Sequence, residues 1–128
     1  MPDETTTAPP QLKYERTTDF LNTYANNAYF ESSAWDFRII FGQLDQSSLP
    51  EPAIKQNVAI TIPWAQAKLA LYWIRLHVEA NEIQNGKILI RADLLPPVPN
   101  PPTDKDDPDA QKLYETILKI REEFLASL

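Results

Sequence analysis

The stretch Ala34-Trp35-Asp36-Phe37-Arg38-Ile39-Ile40-Phe41-Gly42-Gln43-Leu44 decides the fold class. Trp35, Phe37, Ile39 and Phe41 alternate with Asp36, Arg38, Ile40 and Gly42. Side chains of an extended chain point to opposite faces in turn, so a period of two sets the first group on one face of a sheet. Just upstream, residues 24–31 alternate as well, with Ala28 and Phe30 opposing Asn27, Tyr29 and Glu31. The short Ser32-Ser33 link between the two runs predicts a β-hairpin. Gly42, where the second run ends, predicts a bulge or a tight bend.

Downstream, residues 45–56 carry Ser47, Ser48, Pro50 and Pro52 and read as a loop. A third strand follows, with Val58, Ile60 and Ile62 alternating with Ala59 and Thr61. Pro63 stops it and can open a helix, because the N–H that proline lacks is unsatisfied in a first turn anyway. The helix is predicted over 63–85, with Gly86 as a left-handed C-terminal cap. Trp64, Ala67, Leu71, Ile74 and Val78 form one apolar stripe along it. Leu69, Tyr72, Trp73, Leu76, Ala80 and Ile83 form a second. One sheet face covers only one stripe. A second stripe left in water forgoes about 1.5–3 kcal/mol per large side chain. A membrane span would need about 20 uninterrupted apolar residues, and Lys68, Arg75, His77, Glu79 and Glu82 break the run. Self-association, or cover from a later helix, accounts for the excess.

Ile88 and Ile90 alternate with Leu89 and Arg91, which predicts a short edge strand. Residues 96–107, rich in Pro and Asp, read as a stiff linker. Asp107-Pro108 has the form of an N-cap followed by proline at the first helical position. The last helix, 108–128, carries Leu113, Ile117, Ile120 and Phe124 at helical spacing, widened by Tyr114, Leu118 and Leu125. At the other end, residues 1–11 have almost nothing to bury and read as a disordered arm. The α+β domain itself spans 12–95, beginning with an irregular segment that holds at most one helical turn. The architecture predicted is an antiparallel sheet of three to four strands, a long helix packed on it, and an amphipathic helix after the linker.

A chain of 128 residues holds one compact domain. It has no cysteine, which excludes disulfides, thiolate metal sites and cysteine nucleophiles. A net charge of −6, with basic residues scattered rather than clustered, argues against nucleic acid and anionic membrane surfaces as partners. The acidic, polar start Met1-Pro2-Asp3-Glu4-Thr5 is unlike a signal peptide, so the cytoplasm is the expected location.

Several motifs together resemble a bacterial family described as domain of unknown function 3467. They are Tyr24-Ala25-Asn26-Asn27, the run from Phe30 through Asp45, Ile62-Pro63-Trp64-Ala65-Gln66-Ala67-Lys68-Leu69, and Asn85-Gly86-Lys87-Ile88. The resemblance covers about 24–95, leaves the last helix outside, and implies no assigned activity. A fainter likeness, of element order alone, is to the SecB-like export-chaperone fold. It implies oligomerisation and binding of extended apolar clients.

The chemistry-bearing residues are sparse. His77 is the only histidine, so no multi-histidine metal site or two-histidine relay forms within one chain. A lone general base there would lack a nucleophile and an orienting partner. Glu31 and Asp36 flank the hairpin turn and could pair as glycosidase-type carboxylates, the basis of a hydrolase reading. The ordinary alternative is a solvated ion pair between Asp36 and Arg38. Gly42 and Gly86 stand alone, so no phosphate-cradling loop exists. Asp104, Asp106, Asp107 and Asp109 lack the glycine and closing glutamate of a calcium loop. No cofactor or metal is expected. Asn26, Asn27 and Asp36 form a candidate polar site, with backbone anchoring by the amides as the structural alternative. Trp35, Trp64 and Trp73 could line a peptide groove, although aromatics at these periods usually fill cores. The leading expectation is a non-catalytic interaction or assembly domain, a homo-oligomer with the dimer favoured. Its candidate interface is Trp64, Leu71, Trp73, Ile74, Val78, Ile117 and Phe124. A SecB-like holdase for unfolded chains is the alternative.

Overall fold

A computed structural model of the chain describes residues 9–45 and 51–128. Most of the expected N-terminal arm (1–8) and the centre of the expected loop (46–50) lie outside the described residues. The element order is β1 (Asn27–Ser32), β2 (Asp36–Asp45), β3 (Ala53–Pro63), α1 (Trp64–Asn85), a 3₁₀ turn (Ala92–Leu94) and α2 (Pro108–Ala126). The α+β class and the element order are as expected. Contacts divide the chain into two units, 1–64 and 65–128, each described by itself below.

The first unit is a three-stranded antiparallel sheet in the order β1-β2-β3. Its register pairs Ala28 with Phe41, Phe30 with Ile39, and Ser32 with Phe37. On the other side Phe37 pairs with Ile62, Ile39 with Ile60, and Phe41 with Val58. Directly opposed residues share a face, so Phe37, Ile39 and Phe41 fall on the same side as Ala28, Phe30, Val58, Ile60 and Ile62. The opposite side carries Tyr29, Glu31, Arg38, Ile40 and Thr61.

The register slips at Phe41/Gly42, where Gly42 pairs with Gln56 and Asn57 becomes the extra residue. The bulge expected at Gly42 is therefore present. A Cβ on Gly42 would lie 2.7 Å from the Lys55 carbonyl oxygen and 3.1 Å from the Gln56 Cα, so only glycine lets the strands approach this closely. Beyond the slip Leu44 opposes Ile54, and this apolar pair sits on the opposite face from Phe41.

Four expectations change. Residues 53–56, read as loop, belong to β3; polar Lys55-Gln56-Asn57 and the bulge hide their alternation. Trp35 does not share the face of Phe37: it stands in the turn, 86% exposed. Ser33 makes that turn, because its hydroxyl oxygen accepts from the N–H groups of Trp35 and Asp36, both at 3.1 Å. Residues 88–90 are extended but join no ladder, and Pro63 closes β3 while α1 begins at Trp64. Upstream, the one turn expected before the sheet lies at 17–20, closed by Phe20 N–H to the Thr17 carbonyl (3.1 Å).

The second unit holds nearly all of α1, the linker and α2. Gly86 ends α1 at φ +89°, a backbone region that glycine enters without strain, and its N–H bonds the Glu82 carbonyl at 2.9 Å. The Glu82 carboxylate then accepts the Ile88 N–H at 3.0 Å, which turns the chain away. At α2 the Asp107 carboxylate accepts from the N–H groups of Asp109 (3.0 Å) and Ala110 (3.3 Å), with Pro108 at the first position. This is the expected cap. In the linker Pro96, Pro99 and Pro102 are half-buried, the three-residue period of a polyproline ribbon with one covered face. The ribbon is tied back to α2 where Arg121 Nε donates to the Pro96 carbonyl at 3.1 Å.

Candidate functional site

The hairpin is stitched at its open end by amides. Asn26 Oδ1 accepts the Leu44 N–H at 2.9 Å, and the Asn26 N–H bonds the Gly42 carbonyl at 3.1 Å. Gln43 Nε2 donates to the Tyr24 carbonyl at 2.8 Å. Asn26 thus extends the β1–β2 ladder past its last register pair, Asn27 and Gly42, which is an anchoring role. Asn27 opens β1 opposite Gly42, whereas Asp36 sits at the turn end of the hairpin. Six residues of strand, about 20 Å, separate the two ends, so Asn26, Asn27 and Asp36 form no single site.

The expected partner of Arg38 also changes. Arg38 lies directly opposite Glu31, and their charged groups approach to 3.7 Å. Asp36 instead accepts from the Ser33 hydroxyl at 3.0 Å. Cross-strand opposition outranks same-strand spacing here, because opposed Cβ atoms lie about 5 Å apart and residues two apart on one strand nearly 7 Å. The carboxylates of Glu31 and Asp36 therefore each have another neighbour; Glu31 is exposed and Asp36 half-buried.

The apolar face of the sheet carries an opening of its own. Phe30 stacks on Phe37 with ring centroids 5.7 Å apart, and Phe37 meets Trp64 at 5.4 Å. The Trp64 indole N–H donates to the Ser33 carbonyl at 3.0 Å, which pins the first residue of α1 to the hairpin turn. Its place in the helical stripe gave no sign of this contact. Near the other end of that face, residues 21–25 run beside the sheet. Leu21, Ala25, Phe41, Val58 and Ile60 line a groove of about 510 Å³ there.

In the second unit both stripes of α1 are open: Leu71 is 68% exposed and Ile83 86%. Trp73, Ile74 and Val78 are also exposed, with Trp73 edge-on to Tyr72 at 5.1 Å. Near the ends of α1 and α2, Val78, Ile83, Ile120 and Phe124 line a hollow of about 800 Å³ that also holds Arg75, Glu79, Glu82 and Glu123. Ile117, Ile120 and Phe124 border a second groove against Pro96 and Pro97. The better-covered side of α2 carries Tyr114, Leu118, Arg121 and Leu125, not the stripe through Leu113 and Ile117. Among the described residues no hydrophobic side chain is buried, in either unit.

Among the described residues no group of three or more acidic or histidine side chains is placed to hold a metal ion. No helix there is long and apolar enough to cross a membrane. The Thr17 hydroxyl and the Asp19 backbone N–H hold the Asp19 carboxyl below the ordinary range.

The family model described as Protein of unknown function (DUF3467) matches residues 2–90. The chain belongs to that family. The DUF3467 match takes in the sheet and all of α1 and leaves α2 outside, as the residue motifs imply. No curated protein and no solved structure matches the chain. The SecB-like resemblance therefore finds no support among solved structures.

Proposed function

We propose that this DUF3467 chain is a non-catalytic interaction and assembly domain that works as a homo-oligomer, in its simplest form a dimer. One observation carries the reading: neither unit buries a hydrophobic side chain among the described residues. The partners expected are further copies of the chain or another polypeptide, in the cytoplasm, rather than nucleic acid or membrane.

Folding that depends on association makes thermal stability depend on concentration. The melting temperature should rise by several degrees across a hundredfold range of protein concentration. A concentration-independent transition would remove the reading.

A holdase is the second reading, favoured by the groove between residues 21–25 and the apolar sheet face. It predicts that the chain suppresses aggregation of unfolding clients without ATP. Failure across several clients would eliminate it.

A further inference from the structure

The two stripes of α1 are related in a way that selects a partner. At 100° per residue, Ala67, Leu71, Ile74 and Val78 lie on one side of the helix. Leu69, Tyr72, Leu76, Ala80 and Ile83 lie almost diametrically opposite. Two polar seams separate them. One contains Lys68, Arg75, Glu79 and Glu82; the other contains Gln66, His77, Asn81 and Gln84 and has no acidic or basic residue of fixed charge. Along the charged seam the cations come first and the anions last.

Resting on the oligomeric reading above, we infer that α1 pairs antiparallel with α1 of a second copy through the Leu69–Leu76–Ile83 stripe. Three features agree on one register. An antiparallel alignment centred on Leu76 sets Leu69 opposite the partner's Ile83 and Leu76 opposite the partner's Leu76. It also sets bulky Tyr72 opposite small Ala80, with Trp73 beside it. In antiparallel helix pairs each flank faces the same flank of its mate, so the charged seam meets itself head to tail. The same alignment, within two residues or about 3 Å of rise, brings Lys68 to the partner's Glu82 and Arg75 to the partner's Glu79. Long charged side chains span that offset. In a parallel pair the charged seam would face the uncharged one and all four charges would go unmatched.

The opposite stripe fits less well. Its own antiparallel alignment pairs Leu71 with Ile74 and Ala67 with Val78, which keeps Lys68 within two positions of the partner's Glu79 but leaves Arg75 about nine positions, or roughly 14 Å, from any partner carboxylate of the seam. That stripe is left for another layer. Within the unit, Arg75 lies 3.5 Å from Glu79, and Glu79, Glu82 and Glu123 line the 800 Å³ hollow together with Arg75 and Lys87, three acids to two bases. A second copy's Lys68 and Arg75 would enter that space.

The chain has no cysteine, so single introduced thiols report the geometry in the full-length protein. Leu76→Cys places two thiols at the two-fold axis, and a short bis-maleimide reagent should link them at least tenfold faster than it links Leu71→Cys. Lys68→Glu and Glu82→Lys should each weaken dimerisation about fivefold, and the double exchange should restore it. A dimer that cross-links equally at 71 and 76, with no restoration by the exchange, would overturn this pairing and leave the oligomeric reading standing. A chain monomeric at every concentration would overturn both and make α2 the cover of the stripe.

Discussion

The two glycines of this chain are constrained for different reasons, and alanine at each should reveal which reason governs. At Gly42 the added Cβ meets backbone, the Lys55 carbonyl oxygen at 2.7 Å and the Gln56 Cα at 3.1 Å. Comfortable contacts begin near 3.5 Å, and neither obstacle can rotate away. Relief requires β2 and β3 to separate at the bulge, at a cost near the upper end of the 1–3 kcal/mol typical of overpacking. Alanine returns about 0.4–1 kcal/mol by restricting the unfolded chain. The net loss for Gly42→Ala is about 2 kcal/mol. With a urea dependence of about 2 kcal/mol per molar, the unfolding midpoint should fall by roughly 1 M. At Gly86 nothing lies within 4 Å, and only the φ of +89° penalises a side chain. Gly86→Ala should lose about 1 kcal/mol, and Gly86→Asn less, because asparagine tolerates this conformation. Far-UV circular dichroism in urea, at one fixed protein concentration, measures all three. A Gly42→Ala midpoint within 0.2 M of the parent, or a smaller loss than for Gly86→Ala, would refute the close strand approach.

Other substitutions test single contacts by the same assay. Asn26→Ala removes the acceptor of the Leu44 N–H and should cost about 1 kcal/mol, while Asn27→Ala should cost distinctly less. Asp107→Ala should lose about 1 kcal/mol and fray the start of α2, seen as faster amide exchange at Asp109 and Ala110. Trp64→Phe keeps the ring on Phe37 but deletes the N–H to Ser33; about 1 kcal/mol should go, and no loss would mean that the indole bond contributes nothing. Thr17→Val should raise the Asp19 carboxyl toward the ordinary range, read by NMR titration.

The sheet was legible because Phe37, Ile39, Phe41, Val58, Ile60 and Ile62 repeat with period two and all reach one face. The caps at Gly86 and Asp107 were legible because each rests on local backbone chemistry that one residue type satisfies best. What failed depends on partners distant in sequence. The bulge at Asn57 reverses phase inside β3, so residues 53–56 look like loop although they pair with β2. Trp35 fits the alternation, yet a Ser33 hydroxyl captures the backbone ahead of β2 and takes the indole out of the ladder. Arg38 has an acid two residues before it and another directly across the sheet, and only the register discloses that the second is its neighbour. For the candidate site the reading was partial. Both apolar stripes of α1 were visible, but Trp64, assigned to one of them, turns to the hairpin instead. The polar trio Asn26, Asn27 and Asp36 was divided by the length of β1.

Whether the chain completes its apolar packing with other copies of itself is decided by its mass in solution. Light scattering on the full-length chain after size separation, at concentrations from micromolar upward, measures this most directly. Self-association gives a mass of at least twice 14.6 kDa, about 29 kDa for the dimer. A constant mass of 14.6 kDa across that range would contradict it.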